Sequence, residues 1–466
     1  MEDWFEAERH VDRAHEFYER GAWDQAESEL REALSLNPYR AEWHFNLGLT
    51  LEAAGRHADA AAAFRDAHAL EPDDAQTQLL IGVNLLRAGE IREAIGWFES
   101  AAKADPASAA PFVHRIEAYT RLGEHEQAEV MFYLAQQLEP DNAAAYANLA
   151  ESLLARNMTD KAIWCLREAA QLDPSLPRVH ARLADAYAAT GRLERARQLY
   201  LLELRQDPGD IGTLLHLGCL LVDMNRLPEA GEKFRRVLEL EPDNAEAHFF
   251  LADLAERQGL FEEAKAQYGV VLRLDPAFPG GRRRLARLLM NRGGHAAMAE
   301  AREMLAEDLA MYREDPMRLG VEDLDELGQL LLDADMPADA RTVFQDIVER
   351  RPDHAMSLHH LAVACFRVGD RASGTAMSRA ALRLDPRFVA AMHNLAVASL
   401  HDGRWMRARY WVKQALAVDP DDAALRRLRL KLRVHGVVEA VARAWSRLIG
   451  AVRRPRRARG AAEPTV

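Results

Sequence analysis

Lysine, cysteine and long apolar runs are all scarce in this chain. Three cysteines, Cys165, Cys219 and Cys365, stand far apart and odd in number. That argues against a disulfide framework and favours a reducing compartment, so a cytoplasmic location is expected. No stretch approaches the roughly 18 consecutive apolar residues of a membrane span. The opening MEDWFEAERH is acidic and amphipathic and lacks the basic region and apolar centre of a signal peptide. There is no phosphate-binding glycine loop, C-x-x-C pair, H-E-x-x-H helix or nucleophile elbow. These absences point away from catalysis, from a bound cofactor or metal, and from a small-molecule substrate. Only six residues are lysine, so arginine carries nearly all the positive charge.

With 49% apolar and 29% charged residues, the 466-residue chain has the composition of a folded protein. Its length suits roughly two to four ordinary domains or one repeat array. The charge is unevenly placed. Residues 423–466 carry 12 Lys or Arg against 2 Asp or Glu, whereas the preceding 422 residues carry 48 against 71.

A repeat decides between the two organisations. Proline recurs every 34 residues at 38, 72, 106, 140, 174, 208, 242 and 276. Steps of 40 and 36 lead to Pro316 and Pro352, and the 34-residue step then returns with Pro386 and Pro420. When this proline is numbered position 32, unit one begins at Ala7 and unit two at Ala41. Position 20 is then Ala in ten of eleven regular units, the exception being Gly374. Position 8 is Gly or Ala in ten, such as Gly48 and Gly82, with Ile116 as the exception. Position 15 is Gly or Asn in ten, as in Gly55, Gly89 and Asn157.

Each recurrence has a mechanical meaning. Positions 4, 7, 8 and 11 follow helical spacing, so a first helix has one apolar stripe, and positions 20, 24 and 27 give a second helix the same. Gly or Asn at position 15 suits the left-handed residue that ends a helix. Small residues at 8 and 20 let two antiparallel helices approach closely. Proline at 32 stops the second helix, because the residue before it avoids the α region. Asp74, Ser108, Asn142, Asp210, Asn244 and Asp422, all at position 34, are placed to cap the next helix. One hairpin cannot bury both its faces, but a stack of them can. The expected fold is an all-α solenoid of stacked antiparallel helix hairpins.

The unit AEWHFNLGLTLEAAGRHADAAAAFRDAHALEPDD resembles a tetratricopeptide repeat, through its length and through Leu47, Gly48, Leu51, Gly55, Ala60, Phe64, Ala67 and Pro72. The resemblance runs from residue 7 to residue 422. It implies a right-handed superhelix with first helices on the concave face. It also implies a non-enzymatic scaffold or adaptor that binds protein or peptide segments. In that family, positions 2, 5, 9, 12 and 13 usually line the groove.

Carried onto this chain, position 9 reads Glu117, Glu151, Asp185, Cys219 and Asp253 in consecutive units, with Glu246 and Glu256 nearby. Earlier units are apolar at groove positions, with Phe45, Leu49, Leu79, Val83 and Leu86. The expected ligand is a segment with spaced Lys or Arg beside apolar anchors; a solvated acidic surface is the competing reading. Position 5 reads Phe45, Leu79, Val113 and Ala147, which disfavours a lysine-based grip on a C-terminal carboxylate. Asn46, Asn148 and Asn394 stand singly at position 6 and form no continuous ladder.

The expected organisation is a lead-in at 1–6, eight units at 7–278, an irregular extended unit at 279–320, three units at 321–422, capping helices at 423–452 and a disordered basic tail at 453–466. The irregular unit reads either as a hinge or as a tolerated insertion with a longer second helix. Its cluster Arg282–Arg284 reads as a solvated helix start or a local anion contact. Beyond Pro420, Leu425, Leu428 and Leu432 form one apolar stripe, and Val437, Val441, Trp445, Leu448 and Val452 another. Two roles stand open for this region. It can cap the last repeat, or it can tether a non-catalytic subunit to an anionic membrane or an enzyme assembly. Nucleic acid is the less favoured partner. His10, His44, His180 and His248 sit at position 4, which suits core packing, and His359, His360, His393 and His401 gather in the last two units without an accompanying metal-ligand set.

Overall fold

The computed structural model describes residues 2–434 together with Val441 and Trp445. Among these the secondary structure is helical throughout, with twenty-four complete helices and a further helical segment at 423–434. The chain divides into two compact units, Met1–Pro242 and Asp243–Val466. The first unit begins with α1 (Glu2–Glu19) and α2 (Trp23–Leu36), then α3 (Ala41–Ala53) and α4 (His57–Leu70), α5 (Ala75–Ala88) and α6 (Ile91–Ala104). It continues with α7 (Ala110–Arg121) and α8 (His125–Leu138), α9 (Ala143–Ala155) and α10 (Thr159–Leu172). It closes with α11 (Val179–Ala189) and α12 (Leu193–Gln206), α13 (Ile211–Asp223) and α14 (Leu227–Leu240). Each pair is a hairpin stacked on the next, the all-α solenoid expected from the period.

The joints follow the sequence logic closely. Within a hairpin, Gly55 takes a φ of 75°, and this left-handed turn lets Gly55 N–H return to the Glu52 carbonyl and Arg56 N–H to the Leu51 carbonyl, both at 2.9 Å. Asn157, Asn225 and Asp335 adopt the same left-handed conformation without being glycine. Between hairpins, Asp74, Asn142, Asp210, Asn244 and Asp422 each accept a backbone N–H of the following helix. Ser108 does not. The helix after it starts one residue later, at Ala110 with Ala109 in the capping position, and Pro111 lies in its first turn. Proline has no N–H to give, so a cap on Ser108 would lack its usual third-position donor.

The close approach at position 8 has a specific partner. A Cβ at Gly48 would come within 2.6 Å of the Phe64 ring, and one at Gly82 within 2.5 Å of the Phe98 ring. Gly218 faces Phe234 and Gly328 faces Phe344 in the same way. In these four hairpins position 8 is glycine because the position-24 aromatic ring packs directly against the first helix. Phe64, Phe98, Phe234 and Phe344 are all fully buried.

One joint breaks the rule. The turn before α11 holds Arg178 at a φ of 61°, and the capping position is Leu176. Here Glu203 reaches back from α12 and accepts N–H groups from Arg178 at 2.9 Å and His180 at 3.1 Å. Glu203 is itself buried, and it occupies position 27 where the other ten regular units carry Ala, Val or Ile.

The second unit comprises α15 (Ala245–Arg257) and α16 (Phe261–Leu274), α17 (Gly281–Arg292) and α18 (His295–Glu314), α19 (Val321–Asp333) and α20 (Pro337–Arg350). It ends with α21 (Ala355–Val368) and α22 (Arg371–Leu384), α23 (Val389–His401) and α24 (Trp405–Val418), followed by the 423–434 segment. In the irregular stretch, α18 runs 20 residues against 14 in α16. A single apolar core nevertheless passes through it, from Ala252 and Tyr268 by way of Leu285, Leu305 and Leu309 to Leu327, Phe344 and Cys365.

The arginine cluster there differs from its expected solvated state. Arg283 is 2% exposed. Its guanidinium donates to the Asp323 backbone carbonyl at 2.7 Å and to the Asp323 carboxylate at 2.9 Å, with Asp308 and Glu326 each at 3.6 Å. It therefore ties α17 to both α18 and α19. Its neighbours are used locally: Arg282 pairs with Glu307 at 2.9 Å and Arg284 with Asp253 at 3.6 Å.

At the C-terminal side, Leu425, Leu428 and Leu432 are buried against Met392, Ala396, Ala408, Val412 and Ala415. This stripe covers the α23–α24 hairpin. The second expected stripe, and the basic tail, lie outside the described residues apart from Val441 and Trp445, which are exposed.

Candidate functional site

The groove positions of the first unit fall into two neighbouring surfaces. On α3 and α5, Phe45, Leu49, Leu79 and Val83 are half-buried, with one side on the core and the other open. Phe45 meets Phe64 edge-on at 5.4 Å, so its ring is held in place. Leu86, expected beside them, is instead 2% exposed and part of the core.

On α7, α9 and α11, Glu117, Glu151 and Asp185 line one cleft of about 390 Å³. The in-phase recurrence of carboxylates thus does bring them together. The cleft is not uniformly acidic, however. Arg121, Arg178 and Arg182 line it as well, with Asn148 and Thr120 between them. Glu117 is paired with Arg121 at 2.6 Å and Glu151 with Arg182 at 3.4 Å. Asp185 lies 3.1 Å from the His216 ring and accepts the Tyr200 hydroxyl. Burial, and then the hydrogen bond to Asp185, push the Tyr200 phenol well above its ordinary range, so it stays a donor.

These cations could have been read in advance. Arg121 is one turn beyond Glu117, and Arg178 and Arg182 occupy positions 2 and 6 of their unit. Reading the acids as a ladder while leaving the cations in the same helices aside overstated the negative charge.

The second unit presents its own acidic pair. Asp253 contacts Arg257 at 2.7 Å and Arg284 at 3.6 Å, and Glu256 accepts the Tyr268 hydroxyl at 3.3 Å. The histidines gathered in this unit join consecutive first helices. His360 lies 2.8 Å from Asp325, and His359 lies 3.1 Å from Asn394. Burial first, and then the neighbouring His360, lower His359 to about 4, so its ring is neutral at physiological pH. In the first unit Asn148 plays a similar part, donating to the Val113 carbonyl at 3.2 Å. Three of the position-4 histidines are hydrogen-bonded packing residues: His10 meets Glu29 at 2.7 Å, His44 the Pro38 carbonyl at 3.0 Å and His248 the Gln267 side chain at 2.7 Å. Among the described residues no three His, Cys, Asp or Glu side chains converge as a metal-ligand set, and no helix is long and apolar enough to cross a membrane.

Comparison with known proteins agrees with this architecture. A family profile described as Tetratricopeptide repeat matches residues 11–75, 147–211, 215–279 and 366–423, and a second of the same description matches 51–112. The chain belongs to the tetratricopeptide repeat family. Members of this family generally act as non-catalytic scaffolds for protein interaction. Among solved structures, the chain is similar to Pseudomonas aeruginosa PilF, at 20% identity over 43% of this chain and 92% of that one, with a TM-score of 0.39. It is similar to a chain of the APC/C hetero-tetramer Cut9–Hcn1, at 14% identity over 90% and 95%, with a TM-score of 0.39. It is also similar to yeast Tom70, at 16% identity over 94% and 96%, with a TM-score of 0.38. Among curated proteins none matches the chain.

Proposed function

We propose that this protein is a non-catalytic adaptor whose first unit grips an extended segment of a partner protein. The carrying observation is the adjacency of two surfaces: the apolar shelf of Phe45, Leu49, Leu79 and Val83, and the cleft bearing Glu117, Glu151 and Asp185. Apolar anchors on the shelf supply burial free energy, at roughly 25 cal/mol per Å². The cleft supplies register. Glu117 and Glu151 are held by exposed or half-exposed arginines, and such pairs contribute only about 0–1 kcal/mol. A ligand Lys or Arg can therefore exchange with Arg121 or Arg182 at small cost.

The three arginines in the cleft refine the ligand. A purely basic segment would meet as many positive as negative side chains. The favoured segment places Lys or Arg opposite Glu151 and Asp185 and an acidic or neutral residue opposite Arg178. Asp253 and Glu256 are a further contact region for basic residues, within the second unit. A reducing, cytoplasmic setting is part of the same proposal, motivated by cysteines that are few, far apart in sequence and odd in number.

A peptide array of systematically varied charge tests the idea. Wild-type protein should select sequences with spaced Lys or Arg next to apolar residues. The variant Glu117→Lys/Glu151→Lys/Asp185→Lys should lose that selection, and its remaining binding should turn towards acidic sequences. An identical selection profile for the two proteins would sink the assignment of this cleft.

A further inference from the structure

The packing of the 423–434 segment on α24 leaves a groove of about 440 Å³ beside the buried leucine stripe. Its floor is apolar, including Val412 and Leu416, and its rim carries Arg409, Lys413, Arg429 and Arg433. All four cations are exposed, and among the described residues none of them forms an ion pair. Arg409 also serves the fold, donating to the Leu432 carbonyl at 3.0 Å. The surrounding surface adds bare apolar side chains, with Tyr410 55% and Leu430 63% exposed. Four cations without an ion pair among the described residues, set around an apolar floor, repel one another and favour the docking of an acidic, partly apolar group.

A group of that chemistry exists in the same sequence. The helix α1 is 18 residues long against 13 in α3, because it begins before the repeat does. Residues 2–6 read EDWFE, with three acids, two aromatics and no basic side chain. Trp4 and Phe5 are 47% and 60% exposed, held edge-on to each other at 5.1 Å, while the repeat residues Ala7 and Ala14 are buried. The extra turn of α1 thus carries an exposed aromatic pair in a stretch of acidic sequence. Hydrophobic anchor and charge sign both match the groove on α24 and the 423–434 segment.

We propose that a second copy of this chain docks its Trp4–Phe5 turn into the cation-rimmed groove of the first, giving a head-to-tail assembly. This goes beyond the peptide-binding role proposed above and uses none of its residues. The contact joins two different surfaces, so it is heterologous and each copy keeps one surface unused until another copy arrives. Association is driven by burial of the two aromatic rings and steered by opposite charge, and it weakens with salt because the rim cations are exposed.

Light scattering after size exclusion, run on the full chain over a dilution series at low and high salt, is the test. The wild type should show a mass above that of the monomer which rises with concentration and falls with salt. Trp4→Ala/Phe5→Ala and Lys413→Glu/Arg433→Glu should each be monomeric alone, with unchanged helicity by circular dichroism. Mixed together they should form a one-to-one dimer, because the first keeps an intact groove and the second an intact anchor. A wild type that stays monomeric at low salt throughout the series overturns the proposal, whatever the variants do. Self-association that persists in both variants, or variants that fail to complement each other, would place the interface elsewhere and overturn it too. A monomeric wild type that floats with phosphatidylserine-containing vesicles, but not after Lys413→Glu/Arg433→Glu, would reassign the groove to a lipid surface.

Discussion

The hairpin α5–α6 and the hairpin α17–α18 solve the same stacking problem by different means. In α5–α6 the contact is apolar: Gly82 admits the fully buried ring of Phe98, and Asp74 and Gly89 shape the turns on either side. In α17–α18 the second helix is longer, and the tie to the next hairpin is ionic, through Arg283. A stack of regular hairpins repeats its geometry, so one small residue and one ring suffice where they face each other, as at Gly48, Gly82, Gly218 and Gly328. Where the helix length changes, that register is lost. A long, multidentate side chain then spans what side-chain volume alone would leave unfilled.

The difference is sharpest in what each hairpin loses when its key residue is replaced. The largest effect is expected for Arg283→Met. The substitution retains the bulk and removes the charge, leaving Asp308 buried without its nearest cation. Removing one partner of a buried ion pair costs about 3–5 kcal/mol. Burial already raises the Asp308 carboxyl above the usual carboxylate range, with Arg283 as the main opposing influence. A raised value means that the folded chain holds the proton more tightly than the unfolded chain. In Arg283→Met the lost stability should therefore return in part as pH falls through the folded value towards the unfolded one. Urea unfolding of wild type and variant over a pH series measures both effects. A variant as stable as wild type at neutral pH would show that the ionic tie is decorative.

The apolar joint should respond less. In Gly82→Ala the new methyl meets the Phe98 ring, and overpacking of this kind costs about 1–3 kcal/mol. Alanine regains about 1 kcal/mol of helix propensity. A net loss of roughly 0–2 kcal/mol is expected, without dependence on pH or salt. Adding Phe98→Leu, which makes room for the methyl, should recover part of it. If Gly82→Ala were stabilising, the glycine would be dispensable and the ring contact would not explain it.

How far the sequence revealed these two joints follows from their physics. The regular joint was legible because it is local and repeated: the proline, the left-handed residue and the cap recur in phase, and small residues at positions 8 and 20 stand out. That position 8 is small on account of the position-24 ring was not legible, since no single helix shows what faces it. Arg283 was misread because three successive arginines at a helix start suggest solvent. Its carboxylate partners arrive 25, 40 and 43 residues later, from two other helices. Glu203 left a visible trace, a carboxylate in an otherwise apolar position, and only the structure shows which N–H groups it serves. In the candidate site, the in-phase carboxylates were legible, while their neutralisation depended on arginines at positions with no recurrence.

The smallest expected effect separates two joints that look alike in sequence. Asn142 and Ser108 both occupy position 34, two residues after the proline. Asn142 accepts the Ala145 N–H at 2.9 Å, whereas α7 is entered through Ala109 with no side-chain cap. Replacing a capping asparagine by alanine costs about 1 kcal/mol. In a repeat stack such a loss acts first on the hairpin that carries it and on its neighbours, so whole-chain unfolding dilutes it. Hydrogen exchange resolved along the sequence is therefore the better measurement. Asn142→Ala should speed exchange in the first turns of α9 by roughly fivefold, the factor that about 1 kcal/mol implies at room temperature. Ser108→Ala should leave α7 unchanged, since Ser108 gives that helix nothing to lose. Equal responses at the two sites would mean that position 34 acts through turn conformation and not through its side-chain oxygen.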